Sequence, residues 1–200
     1  VSFVTQFRAG GVDEWTGISG TAHLFEHMLF KGTPTLGTRD YAAEQRIFPR
    51  IDAVADSLTA EFRKGASADT LVMTRLRDRL RVLEDSARQY VVSNELARIL
   101  TENGAQNLNA STSNDGTNYF FALPANRAEL WFVLESDRVR NPVLREFYSE
   151  RDVVMEERRW STEDRPRSLV YEQLMAAALN AHPYHNPIIG WMNDLQNMQV

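Results

Sequence analysis

No cysteine occurs among the 200 residues, which excludes disulfides and every thiolate metal site. It excludes no compartment. No apolar stretch approaches the roughly 20 residues that a membrane-spanning helix needs, and no signal-peptide pattern is visible. A basic excess is also lacking. The formal net charge is −5 with no basic face, which argues against nucleic acid as a partner. Internal repeats and low-complexity tracts are absent too. What remains is an ordinary globular composition, 43% apolar and 24% charged, on a chain long enough to bury a substantial core.

The chain opens on Val1 in a segment that reads as a strand (1–9) and closes in "WMNDLQNMQV" without a capping or turn signal. The expectation is a fragment of something longer, cut at both ends. Gly17, Ser19, Gly20 and Thr21 signal a loop and helix start before the apolar run 22–30, which Lys31 and Gly32 close. Residues 41–100 read as helical and charge-rich. Pro49 and Gly65 interrupt them, leaving helices near 51–64 and 69–91 that make a hairpin with a solvated outer face. "NLNASTS" (107–113) and "TNYFFAL" (117–123) alternate like strands around the turn Asn114-Asp115-Gly116. Helices follow near 126–140, 149–161 and 168–180, and "HPYHNPIIG" reads as loop. The order predicts a single α+β domain over 1–200, with an antiparallel-rich sheet packed on helices.

Chemistry concentrates in "GTAHLFEHMLFKGT". On a helix, His23, Glu26 and His27 stand at i, i+3 and i+4 and share one face, flanked by Leu24, Phe25, Met28 and Leu29. Two imidazoles and a carboxylate in so apolar a segment need partners. A pair of histidines four apart is by itself an ordinary core feature. With Glu immediately before the second His, the pattern is H-x-x-E-H, the inverzincin motif. His23 and His27 can then reach one zinc, while Glu26 stands beside the water that zinc keeps and takes its proton.

A third ligand is expected from "SERDVVMEERRW" (149–160). Glu150, Val153, Val154 and Glu157 fall on one helical face, and Ser149, Asp152, Glu156 and Arg159 on a polar one. Glu157, on the valine face, is the expected ligand, and Glu156 is expected to meet water or an arginine. Glu150, two turns back, is either a support for a ligand or a surface ion pair. His182 and His185, split by Pro183 with no acidic partner nearby, read as loop residues.

"HLFEHMLFKGT", "NLNASTSNDGTNYF" and "ERDVVMEERR" together resemble the pitrilysin/insulinase family of zinc metallopeptidases, relatives of the mitochondrial processing peptidases. The likeness extends from about Val1 to the "HPYHNPIIGWMNDL" tail. It implies one zinc per chain, held by His23, His27 and Glu157, with Glu26 as general base and Glu150 as the family's further glutamate. The interval from His27 to Glu157 is longer than the family usually shows. Residues 41–100 resemble an insertion of one bacterial-type branch, which accounts for the extra length.

"NLNAST" resembles the family strand that receives a peptide substrate as an added strand, and Asn109, Ala110 and Ser111 are the candidate contacts. The resemblance further implies a second homologous half, on the same chain or on a partner subunit, that supplies an Arg/Tyr pair. The 200 residues alone are therefore expected to bind zinc and cleave poorly. The expected activity is endopeptidase hydrolysis of peptides or small unfolded proteins. The competing expectation is a non-catalytic scaffold or partner subunit, against which the retained motif residues speak. A bacterial periplasmic or secreted location is expected over a cytoplasmic one.

Overall fold

The computed structural model describes residues 1–200, and the fold is α+β. Strand β1 (Ser2–Phe7) leads into helix α1 (Thr21–Met28). Four helices follow: α2 (Tyr41–Gln45), α3 (Phe48–Phe62), α4 (Thr70–Arg88) and α5 (Glu95–Glu102). Strands β2 (Gln106–Thr112) and β3 (Thr117–Ala122) form the hairpin. Helices α6 (Ala128–Arg140), α7 (Phe147–Arg158), α8 (Pro166–Ala178) and α9 (Met192–Asn197) complete the chain. No helix is long and apolar enough to cross a membrane.

Local chemistry explains several boundaries. Asp69 accepts from the N–H groups of Leu71 and Val72 and so starts α4, and Asp40 caps α2 through Ala43. Pro49 lies in the first turn of α3 rather than before the helix. Proline is tolerated there because that turn has no acceptor for an N–H anyway. The hairpin of α3 and α4 turns at Gly65–Ser67. Two features were not legible beforehand. Helix α7 continues as a π turn over Arg159–Glu163. The tail forms α9, whose Leu195 is fully buried, so packing rather than local signal makes that helix.

The sheet is antiparallel with order β1-β3-β2, so β3 is central and β2 is an edge. One face of β3 (Thr117, Tyr119, Phe121) is buried, and the other is half-exposed. Apolar burial divides into two clusters. Leu24 and Met28 of α1 join Ile51, Val54, Leu80, Leu83, Phe147 and Val154 between the helices. Leu36, Leu96, Leu100, Phe121 and Leu123 pack α5 against the sheet.

Between these clusters sits Arg145, 1% exposed. Its Nε lies 2.9 Å from Glu44 Oε1 and its Nη2 2.9 Å from Oε2. The same guanidinium donates to the carbonyls of Lys31 (2.6 Å), Thr33 (3.2 Å) and Leu36 (3.3 Å). The loop after α1 thus wraps one side chain. Gly37 (φ +81°) is required in that wrap, because a Cβ would stand 2.6 Å from the Lys31 carbonyl and 2.9 Å from Arg145 Nη1. Removing one member of so buried a pair strands the other's charge. Arg145→Met should destabilise the protein by about 3–5 kcal/mol, read as a lower midpoint in urea unfolding. A loss below about 1 kcal/mol would show that the pair contributes no more than a surface one.

Candidate metal centre

The entry to α1 is tightly built. Glu14, 7% exposed, accepts from the N–H of Gly20 (2.7 Å) and of Ala22 (2.6 Å), satisfying first-turn donors that have no partner within the helix. Asp194 on α9 accepts from Gly17 N–H, Ser19 N–H and Ser19 Oγ at 2.9, 3.2 and 2.6 Å. Gly20 has φ +88°, and a Cβ there would meet the Ile189 carbonyl at 2.7 Å and Gly190 Cα at 2.8 Å. Sequence reading missed Glu14 and Asp194. Asp194 lies far along the chain, and only the packing of α9 brings it to α1.

The rotation of α1 is set by Leu24 and Met28, each 1% exposed, which face the helical core with Val154 of α7 at 0%. His23, Glu26 and His27 consequently face α7 and β2. The α7 face that meets them carries Glu150, Val154 and Glu157, whereas Val153, grouped with them by periodicity, is 49% exposed. It falls at the rim of the stripe, one position off the buried line. Glu156 is exposed and pairs with Arg159 at 2.6 Å.

Three ligand atoms converge. Glu157 Oε2 lies 3.8 Å from His23 Nε2 and 3.6 Å from His27 Nε2. The ligand atoms of these three residues all lie within 4.8 Å of one another. Donors at zinc–ligand distances near 2.0–2.1 Å in a tetrahedron are about 3.3 Å apart, so modest side-chain movement suffices. His23 Nδ1 is buried without a hydrogen-bond partner. Glu150 Oε2 stands 3.3 Å from His27 Nδ1, while Nε2 of the same ring is the nitrogen that approaches Glu157. Two neutral imidazoles and a carboxylate suit zinc. His182 and His185 lie in a turn at Pro183–His185, where their Nδ1 atoms are engaged with the Tyr184 N–H and the His182 carbonyl.

Glu26 is directed at β2, where the Thr112 hydroxyl donates to its Oε2. Thr112 was not singled out in the sequence, although strand parity could have found it. Ser113 N–H donates to the Gly116 carbonyl at 2.8 Å. Antiparallel alternation then turns the backbone groups of Ser111 and Asn109 inward to Asn118 and Phe120. Those of Ala110 and Thr112 face the free edge. Ala110 N–H is covered there by Asn109 Oδ1 at 2.9 Å. A cleft of about 480 Å³ is lined by Glu26, His27, Glu150, Asn109 and Ala110 among others. Ser111 does not line it, and its backbone is committed to β3.

Electrostatics separate the groups. Burial, then the neighbouring His27, lower the His23 pKa to about 4. The hydrogen bond to Glu150 raises His27 above its ordinary value against the effect of burial. Burial pushes Glu26 up despite the Thr112 hydrogen bond. Burial would also raise Glu150, but His27 and Lys31 together outweigh it and hold that carboxyl low.

Fold and motif together define the class: an α+β domain carrying H-x-x-E-H on a helix that faces a distal glutamate. The chain belongs to the insulinase family, peptidase family M16, whose model matches residues 85–191. It is similar to the zinc protease PqqE of Helicobacter pylori (strain ATCC 700392 / 26695), at 31% identity over 193 residues. That match covers 96% of this chain and 31% of that protein. A crystal structure of a protease from Helicobacter pylori superposes with a TM-score of 0.69 at 26% identity, over 100% of this chain and 35% of that one. The chain thus spans about a third of the length of the relatives it matches.

In the zinc-free protein the two imidazoles should titrate apart. A depressed His23 contributes stability above pH 6.5 that is lost as pH falls from there toward 4. A raised His27 contributes stability below pH 6.5 that is lost as pH rises through its folded value. Imidazole chemical shifts followed from pH 4 to 9 should show His23 taking up its proton only at the acid end and His27 holding its proton to higher pH than His23. A single shared midpoint would contradict this assignment.

Proposed function

We propose that this chain is the zinc-bearing part of a metalloendopeptidase that cleaves extended peptides or small unfolded proteins. One observation carries the reading. Nε2 of His23, Nε2 of His27 and Oε2 of Glu157 converge, and Glu26 stands beside them on the same helix face without joining the cluster. A structural site has no use for that fourth residue. The name of the similar protein from Helicobacter pylori, a zinc protease, supports the same reading.

His23, His27 and Glu157 would hold the ion. Zinc bound there supplies Lewis acidity toward water and the peptide carbonyl. Glu26 accepts a proton from water as the water oxygen bonds to the carbonyl carbon. It then returns that proton to the amine as the carbon–nitrogen bond breaks. The Thr112 hydroxyl fixes the carboxylate's direction. Glu150 holds His27 through Nδ1, leaving Nε2 for the metal.

Substrate is read as an added strand on β2. The outward N–H and C=O of Ala110 would pair with the peptide, and Asn109 Oδ1 would leave that N–H to a substrate carbonyl. The remainder of a protein about three times this length, as in the relatives, would supply the second half that encloses the peptide.

The test is made on the intact protein. Zinc after dialysis should be about one per chain in wild type, Glu26→Gln and Glu156→Gln, and lost in Glu157→Gln. Glu26→Gln should lower peptide hydrolysis by about 10²–10⁴-fold while keeping its zinc. Full zinc retention by Glu157→Gln would move the third ligand elsewhere. A zinc-loaded wild type that cleaves no unfolded peptide would favour a scaffold role.

A further inference from the structure

The Glu150 carboxylate that meets His27 is itself held. Its two oxygens are divided between two partners. Oε2 faces His27 Nδ1 at 3.3 Å, and Oε1 lies 2.5 Å from Lys31 Nζ. Lys31 follows His27 by four residues, in the turn just after α1, where its N–H donates to the Met28 carbonyl at 2.9 Å, so the imidazole and the ammonium lie on one short stretch of chain. The carboxylate of α7 is gripped between them.

Lys31 is itself fixed at both ends. Its carbonyl accepts from Arg145 Nη1 at 2.6 Å, and its Nζ lies 3.2 Å from Glu146 Oε2. Glu146 adopts φ +60° at the entry to α7. That conformation is costly for a residue with a Cβ, and here it turns the Glu146 carboxylate toward Lys31. Arg88 of α4 approaches the other Glu146 oxygen at 3.6 Å. Although Lys31 borders the cleft, its charge is already matched by two carboxylates. It is therefore ill suited to recruit an acidic substrate.

We propose that Lys31 is a positioning residue of the metal centre: its ammonium, held by Glu146, fixes the Glu150 carboxylate, which in turn fixes the tautomer and ring direction of His27. This inference rests on the zinc reading above. Lys31 pairs with Glu150 and Glu146 and with none of His23, His27 and Glu157, so its route to the centre is through Glu150.

The experiment measures zinc affinity of the intact protein by competition with a chromophoric chelator, with the unfolding temperature of the zinc-free form alongside. Lys31→Met should weaken zinc binding about tenfold, the low end for a residue supporting a ligand. Its zinc-free unfolding temperature should stay near that of wild type. Glu150→Gln should weaken binding at least as much. Adding Lys31→Met to Glu150→Gln should then cost no more than about a further twofold, because the two changes break one chain of contacts. Lys31→Arg should recover most of the affinity. If Lys31→Met does not fold, Lys31→Gln, which keeps the stem and a donor but no charge, replaces it with the same expected loss.

Unchanged affinity in Lys31→Met, or full additivity with Glu150→Gln, overturns the proposal while leaving the zinc centre intact. A wild type that binds no zinc removes both readings.

Discussion

The centre depends on one constraint, the packing of α1 against α7 through Leu24, Met28 and Val154. These residues are 1%, 1% and 0% exposed, so neither helix can rotate without opening a cavity in a close-packed core. Once they are seated, the helical period dictates the rest. Residues one position before Leu24 and Met28 on α1, and four before and three after Val154 on α7, face one another across the seam. Those residues are His23, His27, Glu150 and Glu157. An apolar lock therefore aims the polar groups, and their own mutual attraction is the weaker influence on where the helices lie.

How much of this could be read from the sequence depends on separation along the chain. H-x-x-E-H needs only helical geometry, and the hairpin needs only its turn, so both elements were legible. The face of α7 was legible in outline. Periodicity grouped Val153 with Val154, yet only Val154 is buried, because α1 covers a stripe narrower than the face that periodicity draws. Contacts between distant segments carried no local signal. Asp194 capping the approach to α1, Arg145 threaded through the loop after it, and α9 itself become visible only once the core is assembled. The left-handed Glu146 was equally hidden, since nothing local favours that backbone for glutamate.

Helix α1 also joins two layers that otherwise hardly meet. Its leucine face belongs to the helical cluster, while Glu26 is held by Thr112 on the sheet. Glu26 and the outward backbone of Ala110 are thereby referenced to one strand. Strand parity matters as much as composition here. A register slip of one residue would turn Ala110 and Thr112 toward β3 and leave Asn109 and Ser111 on the free edge. The hairpin closure at Ser113 and Gly116 is what forbids it.

Charge supplies the last constraint. Around the seam four carboxylates gather: Glu26, Glu146, Glu150 and Glu157. The fixed cations touching them are Lys31 and Arg88. His23 is held neutral by burial, and His27 must be neutral to offer Nε2 to a metal. Glu26 and Glu157 have no lysine or arginine beside them, and two such carboxylates suit one divalent ion. Without an ion, the Glu150 hydrogen bond raises His27 and burial raises Glu26, each toward its protonated form. Both shifts oppose the states that a metallopeptidase needs, a neutral ligand and an ionised base. A cation at the convergence of His23, His27 and Glu157 would reverse them together, so that binding the metal also sets the protonation of the groups around it.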